Sequence, residues 1–156
     1  MECVINERRI KYDDGELYWW KTKHADKTLK IPVWFKLKQS NKNGRKITMI
    51  NYKQYLVHRL IYKLHNQDWD ITDNSRDNLI DHIDINPLNN NINNLRVVSH
   101  QQNLWNNNGK CYRWHNGAYQ VQITFNRKII YGGRYKTEEE AIKKREELKK
   151  EYHTIN

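Results

Sequence analysis

Residues 79–107 run LIDHIDINPLNNNINNLRVVSHQQNLWNN, a segment that sets Asp directly before His, follows them with a dense Asn run, and is too polar for core. Leu79–Asp81 has the composition of a short strand, and a long polar loop containing Pro87 comes after it. Leu95–Ser99 (LRVVS) reads as a second strand. Ser99 with Gln102 three residues on is a capping box, so a helix starts there. The order is strand, loop, strand, helix. If the two strands fold back on each other and the helix lies across them, Asp81 and Asn103 face one small gap. A carboxylate and an amide oxygen are hard donors suited to Mg²⁺ or Mn²⁺. An imidazole beside a metal-bound phosphodiester, here His82, can take a proton from water because it titrates near neutral pH. The Asn run has a local explanation. Asn side chains bond their own backbone two residues on, so Asn86, Asn89, Asn90 and Asn91 read as scaffolding for a loop that lacks ladder partners.

Composition narrows the partner class. The chain has 156 residues, enough for one ordinary domain or two to three small modules. Lys+Arg of 28 against Asp+Glu of 18 leaves a charge of +10, which favours a polyanionic partner. Six Trp and ten Tyr in so basic a chain suit nucleic acid as well, since rings stack on bases while cations meet phosphates. Cys3 and Cys111 alone make neither a disulfide framework nor a four-cysteine zinc site. The opening residues lack an apolar signal segment, and no run of 18 apolar residues occurs. The expectation is a soluble protein of a reduced, cytoplasmic interior with no membrane partner.

The flanks complete an α+β fold class in three segments. Residues 1–56 alternate aromatic-apolar runs with the turns DDGE (13–16) and KNGR (42–45), where Asp14-Gly15 and Asn43-Gly44 supply positive φ; this predicts a small antiparallel meander. Residues 57–108 open with VHRLIYKLHN, where Val57, Leu60, Ile61 and Leu64 recur at helical spacing. His58 in that helix reads as a buried, hydrogen-bonded residue, His65 and His100 as surface residues, and Arg59 and Arg96 suit either an acid or a phosphate. Residues 109–156 carry three strand candidates joined at HNG and FNRK, then TEEEAIKKREELKKEYH, a helix with a Thr137/Glu140 capping box. Glu139/Lys143, Glu140/Lys144 and Glu146/Lys150 are spaced for ion pairs on its solvated face, with Ala141, Ile142, the Arg145 stem and Leu148 inward. The segment predicts a three-stranded sheet packed on one helix.

The text VHRLIYKLH…LIDHIDINPLNNNINNLRVVSHQQNLWN resembles the HNH endonuclease family, whose site is a ββα-metal motif. Asn94 stands thirteen residues after Asp81 and Asn103 twenty-two, as in phage-type members of that family. The resemblance implies Asp81 and Asn103 as metal ligands, His82 as general base, and Asn94 as the residue that fixes the loop and orients the His. With Asn at the third position the chain is an H-N-N variant, which favours Mg²⁺ or Mn²⁺ over zinc. Ile85 stands where family members often carry Gly. The family also implies a phage- or mobile-element-encoded enzyme, of homing or restriction type, that acts on double-stranded DNA. One such site cuts one strand, so a monomer nicks and a homodimer cuts both.

YRWHNGAYQVQITFNRKIIYGGRYKTEEEAIKKREEL resembles the DNA-binding domain of plant APETALA-type ethylene-response factors, which implies a sheet entering the major groove. Strand alternation sets Tyr119, Val121 and Ile123 against Gln120, Gln122 and Thr124, and the polar set is the outward one. Arg113, His115, Gln120, Gln122, Arg127, Lys128 and Arg134 are the candidate DNA contacts. Gln and Arg can pair bidentately with base edges, whereas Lys mostly counts phosphates. The alternative function class is a sequence-specific DNA-binding or transcriptional protein with a retired nuclease core, and an RNA-directed nuclease is also compatible with the charge.

Overall fold

The computed structural model describes residues 1–24, 30–107 and 109–153. Among the described residues it is a mixed α/β chain of several small antiparallel sheets and three helices, in line with an α+β class. The chain divides into two compact units, residues 1–97 and 98–156. Among the described residues no helix is long and apolar enough to cross a membrane.

The first unit begins with β1 (Glu2–Ile5), β2 (Arg8–Asp13), β3 (Glu16–His24) and β4 (Lys30–Lys36), paired in chain order as one sheet. β5 (Gln39–Lys42), β6 (Arg45–Ile50) and β7 (Lys53–Leu56) form a second. The single expected meander is thus two sheets, with Leu37 and Lys38 between them. The Leu37 side chain is buried and its N–H donates to the Leu17 carbonyl at 2.8 Å, which extends the β3–β4 pairing by one residue before β5 starts. Asp14-Gly15 and Asn43-Gly44 have positive φ as expected. So do Asn6-Glu7, Asn51-Tyr52, Asn116-Gly117 and Asn126-Arg127, the pattern of two-residue hairpins whose twist matches the strands. Two of these turns clasp each other: Asn51 Nδ2 donates to Asn6 O at 2.9 Å and Asn6 Nδ2 to Ile50 O at 3.0 Å.

α1 (Val57–His65) buries Val57, Leu60, Ile61 and Leu64, the periodic set. They join Ile5, Ile10, Leu17, Leu37, Ile50, Ile80 and Leu95 in one core. That core is continuous across the change from strands to helix at residue 57. β8 (Leu79–His82) and β9 (Leu95–Val98) form a two-stranded sheet, and a short 3-10 turn (Ile92–Asn94) leads into β9.

The second unit holds α2 (His100–Trp105), with the Ser99/Gln102 capping box formed in both directions. It then holds the antiparallel sheet of β10 (Tyr112–His115), β11 (Ala118–Phe125) and β12 (Lys128–Tyr135), and α3 (Glu138–Tyr152). α2 belongs here because Trp105 stacks on His153 (centroids 4.9 Å) and on Phe125 (5.7 Å). Val121 and Ile123 meet Ala141 and Leu148 in the core, so α3 covers one face of the sheet. Gly132 is required there: a Cβ would stand 2.6 Å from Leu148 Cδ1 and 3.0 Å from Val121 Cγ1. α3 keeps the Thr137/Glu140 capping box. Its ion pairs differ from the expected spacing, because Glu140 is engaged in the cap while Lys144 pairs with Glu147 at 3.1 Å and Arg145 with Glu146. Ile142 is 36 % exposed, so it flanks the inward stripe and does not lie in it.

Candidate active site and nucleic-acid face

β8 ends at Asp81 and His82, and both are buried, at 6 % and 7 % exposure. Arg96 on β9 reaches the Asp81 carboxylate with Nε at 3.0 Å and Nη2 at 2.9 Å, both on Oδ2. The alternatives left open for Arg96 resolve to an acid pair. Arg59 does otherwise: it donates to the carbonyls of Asn78, Ile71 and Asp73 and lies over the Trp69 ring, so it staples the loop between α1 and β8.

The His82 ring is held from two sides. His58 on α1 meets it edge to face, with centroids 5.0 Å apart, and His82 Nε2 lies 3.0 Å from Asn90 Oδ1. His58 is 4 % exposed, and its Nδ1 has no hydrogen-bond partner among the described residues. Burial holds the His58 pKa down to about 3, and the charges of His82, Arg45 and Arg59 add to that. The ring is therefore neutral at neutral pH. The expectation of burial is met, and that of a hydrogen bond is not met at Nδ1. His65 is half-buried against Tyr12 (centroids 5.4 Å), while His100 is exposed.

The loop between β8 and β9 is built from side chains. Asn94 is its clasp: Nδ2 donates to Asp84 Oδ1 at 2.8 Å and to Asn89 O at 2.9 Å, while Oδ1 accepts from the Asp84 N–H at 3.0 Å. Its carbonyl also accepts from Ile83 N–H at 2.9 Å. Asp84, Asn86, Asn89 and Asn91 each accept from the backbone N–H two residues on, a ladder of Asx turns through the Asn run. Asn89 also donates to Asp84 at 2.7 Å. These bonds, from Asn89 first and then from Asn86 and Asn94, lower the Asp84 pKa. Ile85 sits at φ 63° in this loop, a conformation in which a β-branched side chain is strained.

The expected site residues separate by unit. Asp81, His82 and Asn94 lie within the first unit, around β8, β9 and their loop. Asn103 lies in the second, half-buried on α2, where its N–H donates to Ser99 O. Among the described residues no group of three or more His, Cys, Asp or Glu is placed to hold a metal. Sequence reasoning assigned Asn90 to loop scaffolding, but its amide is the partner of the His82 ring. It also missed that His58 touches that ring. The signal for His58 was present: it stands three residues before Ile61, at the edge of the apolar stripe.

On the second unit, strand register sorts the proposed DNA contacts. Arg113, Gln120 and Arg134 lie directly across from one another on three strands. Gln122 is opposite Tyr131, and Thr124 is opposite Ile129. With Val121 and Ile123 covered by α3, these rows occupy the uncovered face. That face also carries Tyr131 (55 % exposed) and Ile129 (67 %), which the sequence reading did not single out. His115 shares this parity, while Arg127 and Lys128 sit at the β11–β12 turn. Arg134 is partly committed, donating to the carbonyls of His115 at 3.0 Å and Asn116 at 2.7 Å. No protein-family model matches this chain, and no curated protein and no solved structure shows significant similarity to it.

Proposed function

We propose that this chain is a metal-dependent DNA endonuclease of the HNH type, hydrolysing phosphodiester bonds at a site in duplex DNA. The observation that supports this reading best is the His82 ring, buried next to Asp81 and held in one orientation by His58 and Asn90. A general base works from a fixed position, and a ring fixed by packing plus a hydrogen bond meets that need. On this reading the His82 imidazole accepts the proton of the attacking water. Asn94 acts through the loop: it clasps Asp84 and Asn89 next to Asn90, and so positions the base from behind.

The donor chemistry fits a hard divalent cation, because Mg²⁺ needs only one or two protein oxygens when phosphate and water supply the rest. Asp81 is a residue that would hold Mg²⁺ or Mn²⁺, Asn103 is the further ligand that the HNH resemblance implies, and the ion would supply charge stabilisation at the scissile phosphate. On this reading the uncovered face of the β10–β12 sheet lies in the major groove. Arg113, Gln120 and Gln122 meet base edges there, His115, Arg127 and Lys128 meet backbone, and Arg134 both braces the turn and contacts DNA.

A second reading rests on Arg96. Asp81 receives two hydrogen bonds from the guanidinium on one oxygen, which satisfies a buried carboxylate without a metal. That favours a DNA-binding protein with a retired nuclease core. One experiment separates the two: supercoiled plasmid incubated with the full chain and with His82→Ala, in Mg²⁺, Mn²⁺ or EDTA. The nuclease reading expects metal-dependent nicks or fragments from the wild type, and a rate reduced about 10²–10⁴-fold in His82→Ala with DNA affinity kept. Tight binding without cleavage in any metal would move the assignment to the retired core. Equal rates in both proteins would remove His82 from the mechanism.

A further inference from the structure

We propose that a groove along β5 and β6 is a track for the phosphate backbone of duplex DNA, leading to His82; this rests on the nuclease reading above. A recess of about 480 Å³ is lined by Glu16, Lys36, Lys38, Gln39, Asn41 and Lys46 among others. A smaller recess of about 180 Å³ shares Gln39 and Lys46 and reaches Asn90 and Asn91. The two share Gln39 and Lys46, and the second is also lined by Asn90, whose amide meets the His82 ring. All of these residues belong to the first unit, so the track is a grip on DNA separate from the β10–β12 face.

Charge selects the occupant. Glu16 is engaged by Lys36 at 2.8 Å, and among the described residues neither Lys38 nor Lys46 makes an ion pair. The groove therefore presents two uncompensated ammonium groups beside the amides of Gln39 and Asn41. A drug-sized ligand prefers an enclosed apolar pocket, whereas an open trough with spaced cations and amides suits a phosphodiester chain. Arg45, on the same strand as Lys46, lies near enough to His58 for its charge to help lower the pKa of that ring. The positive field of the hairpin thus extends to His58.

The lysines stand on fixed backbone. Leu37 is anchored in the core between Lys36 and Lys38. The buried hydroxyl of Thr48 donates to the Lys38 carbonyl at 2.8 Å. Lys46 is in register with Asn41 across the β5–β6 pair. A track that holds its charges at set positions counts phosphates without reading sequence.

The test uses the full chain in EDTA with a fluorescein-labelled duplex of mixed sequence, and follows anisotropy over a salt series. Each lost phosphate contact lowers the slope of log K against log salt by about 0.9, so K38Q/K46Q should reduce it by about 1.8. A slope equal to that of the wild type overturns the track and leaves the nuclease reading standing if plasmid cleavage persists. In the unmutated protein, the same duplex should shield Lys38 and Lys46 from acetylation, read by mass spectrometry. Equal acetylation with and without the duplex overturns the track independently of how the variant folds. Failure of the wild type to bind the duplex at any salt overturns the nuclease reading, and the track with it.

Discussion

His58→Leu tests whether the ring behind His82 is neutral. His58 is 4 % exposed, touches the His82 ring edge to face, and has a pKa held down to about 3 by burial first and then by His82, Arg45 and Arg59. In the unfolded chain an imidazole titrates near 6.5. Between these two values the unfolded state binds the proton that the folded state refuses, so acid lowers stability throughout that window. The contribution is absent above the unfolded pKa and grows as pH falls towards about 3. One proton is worth about 1.4 kcal/mol per pH unit, so going from about pH 7 to about pH 5 costs about 2 kcal/mol through His58 alone.

Leu fills nearly the same space, and Nδ1 has no partner among the described residues to lose. The assay is urea unfolding of wild type and His58→Leu at both pH values, with equal m-values as the check that one transition is compared. The wild type should lose about 2 kcal/mol more than the variant on acidification. Every other titrating group is common to both proteins and cancels, apart from groups in contact with residue 58, of which His82 is one. If the two proteins lose equal stability between these pH values, His58 is not a buried neutral imidazole and the account of the ring pair is wrong.

Two further outcomes concern the loop between β8 and β9. Asn94→Ala removes three side-chain hydrogen bonds, to Asp84 twice and to Asn89, and in this partly exposed setting should cost about 2 kcal/mol by urea unfolding. Because the clasp stands behind Asn90, plasmid-cleavage kinetics should show the loss in kcat more than in KM; equal kcat in both proteins would leave Asn94 with a structural part only. Ile85→Asn should raise stability by about 1 kcal/mol, since Asn accepts the left-handed backbone at φ 63° that a β-branched residue resists. A lower melting temperature for Ile85→Asn would show that the Ile85 side chain contributes more by packing than its backbone costs.

The elements were legible where a local rule was strong. Both capping boxes, the apolar stripe of α1, and the turns at Asp14-Gly15 and Asn43-Gly44 occur as the sequence predicts. The turns at Asn6-Glu7 and Asn51-Tyr52 were hidden because their second residues are ordinary side chains that adopt positive φ, with no Gly to mark them. The break into two sheets was hidden for a different reason: between β4 and β5 stand only Leu37 and Lys38, one apolar residue in a basic run, with no Gly, Asn or Asp to mark a boundary. Within the candidate site, the Asp-His dipeptide and the Asn spacing are readable. Which Asn meets the ring is not, because Asn89, Asn90 and Asn91 are alike in one dimension and differ only in where the Asx turns aim them.

Asp81 is where the two functional readings part, and the energetics bear on the choice. A buried ion pair is weak support for a fold, since apolar residues of similar volume often do as well or better, while removing one partner costs several kcal/mol. A chain that had lost its chemistry would gain nothing from keeping a buried carboxylate that needs an arginine to remain there. Against the adjacent His82 sit other features that cost stability: the His58 imidazole, buried with Nδ1 unpartnered among the described residues, and a strained Ile85 whose N–H donates to the His82 carbonyl. Such costs gather at functional sites, where the surrounding structure holds them in place. Here the holding structure is the Asx ladder closed by Asn94, whose bonds bring Asn90 to the His82 ring. A retired core explains Arg96 alone, whereas a working base explains why Asn90, His58 and the Asn94 clasp converge on His82.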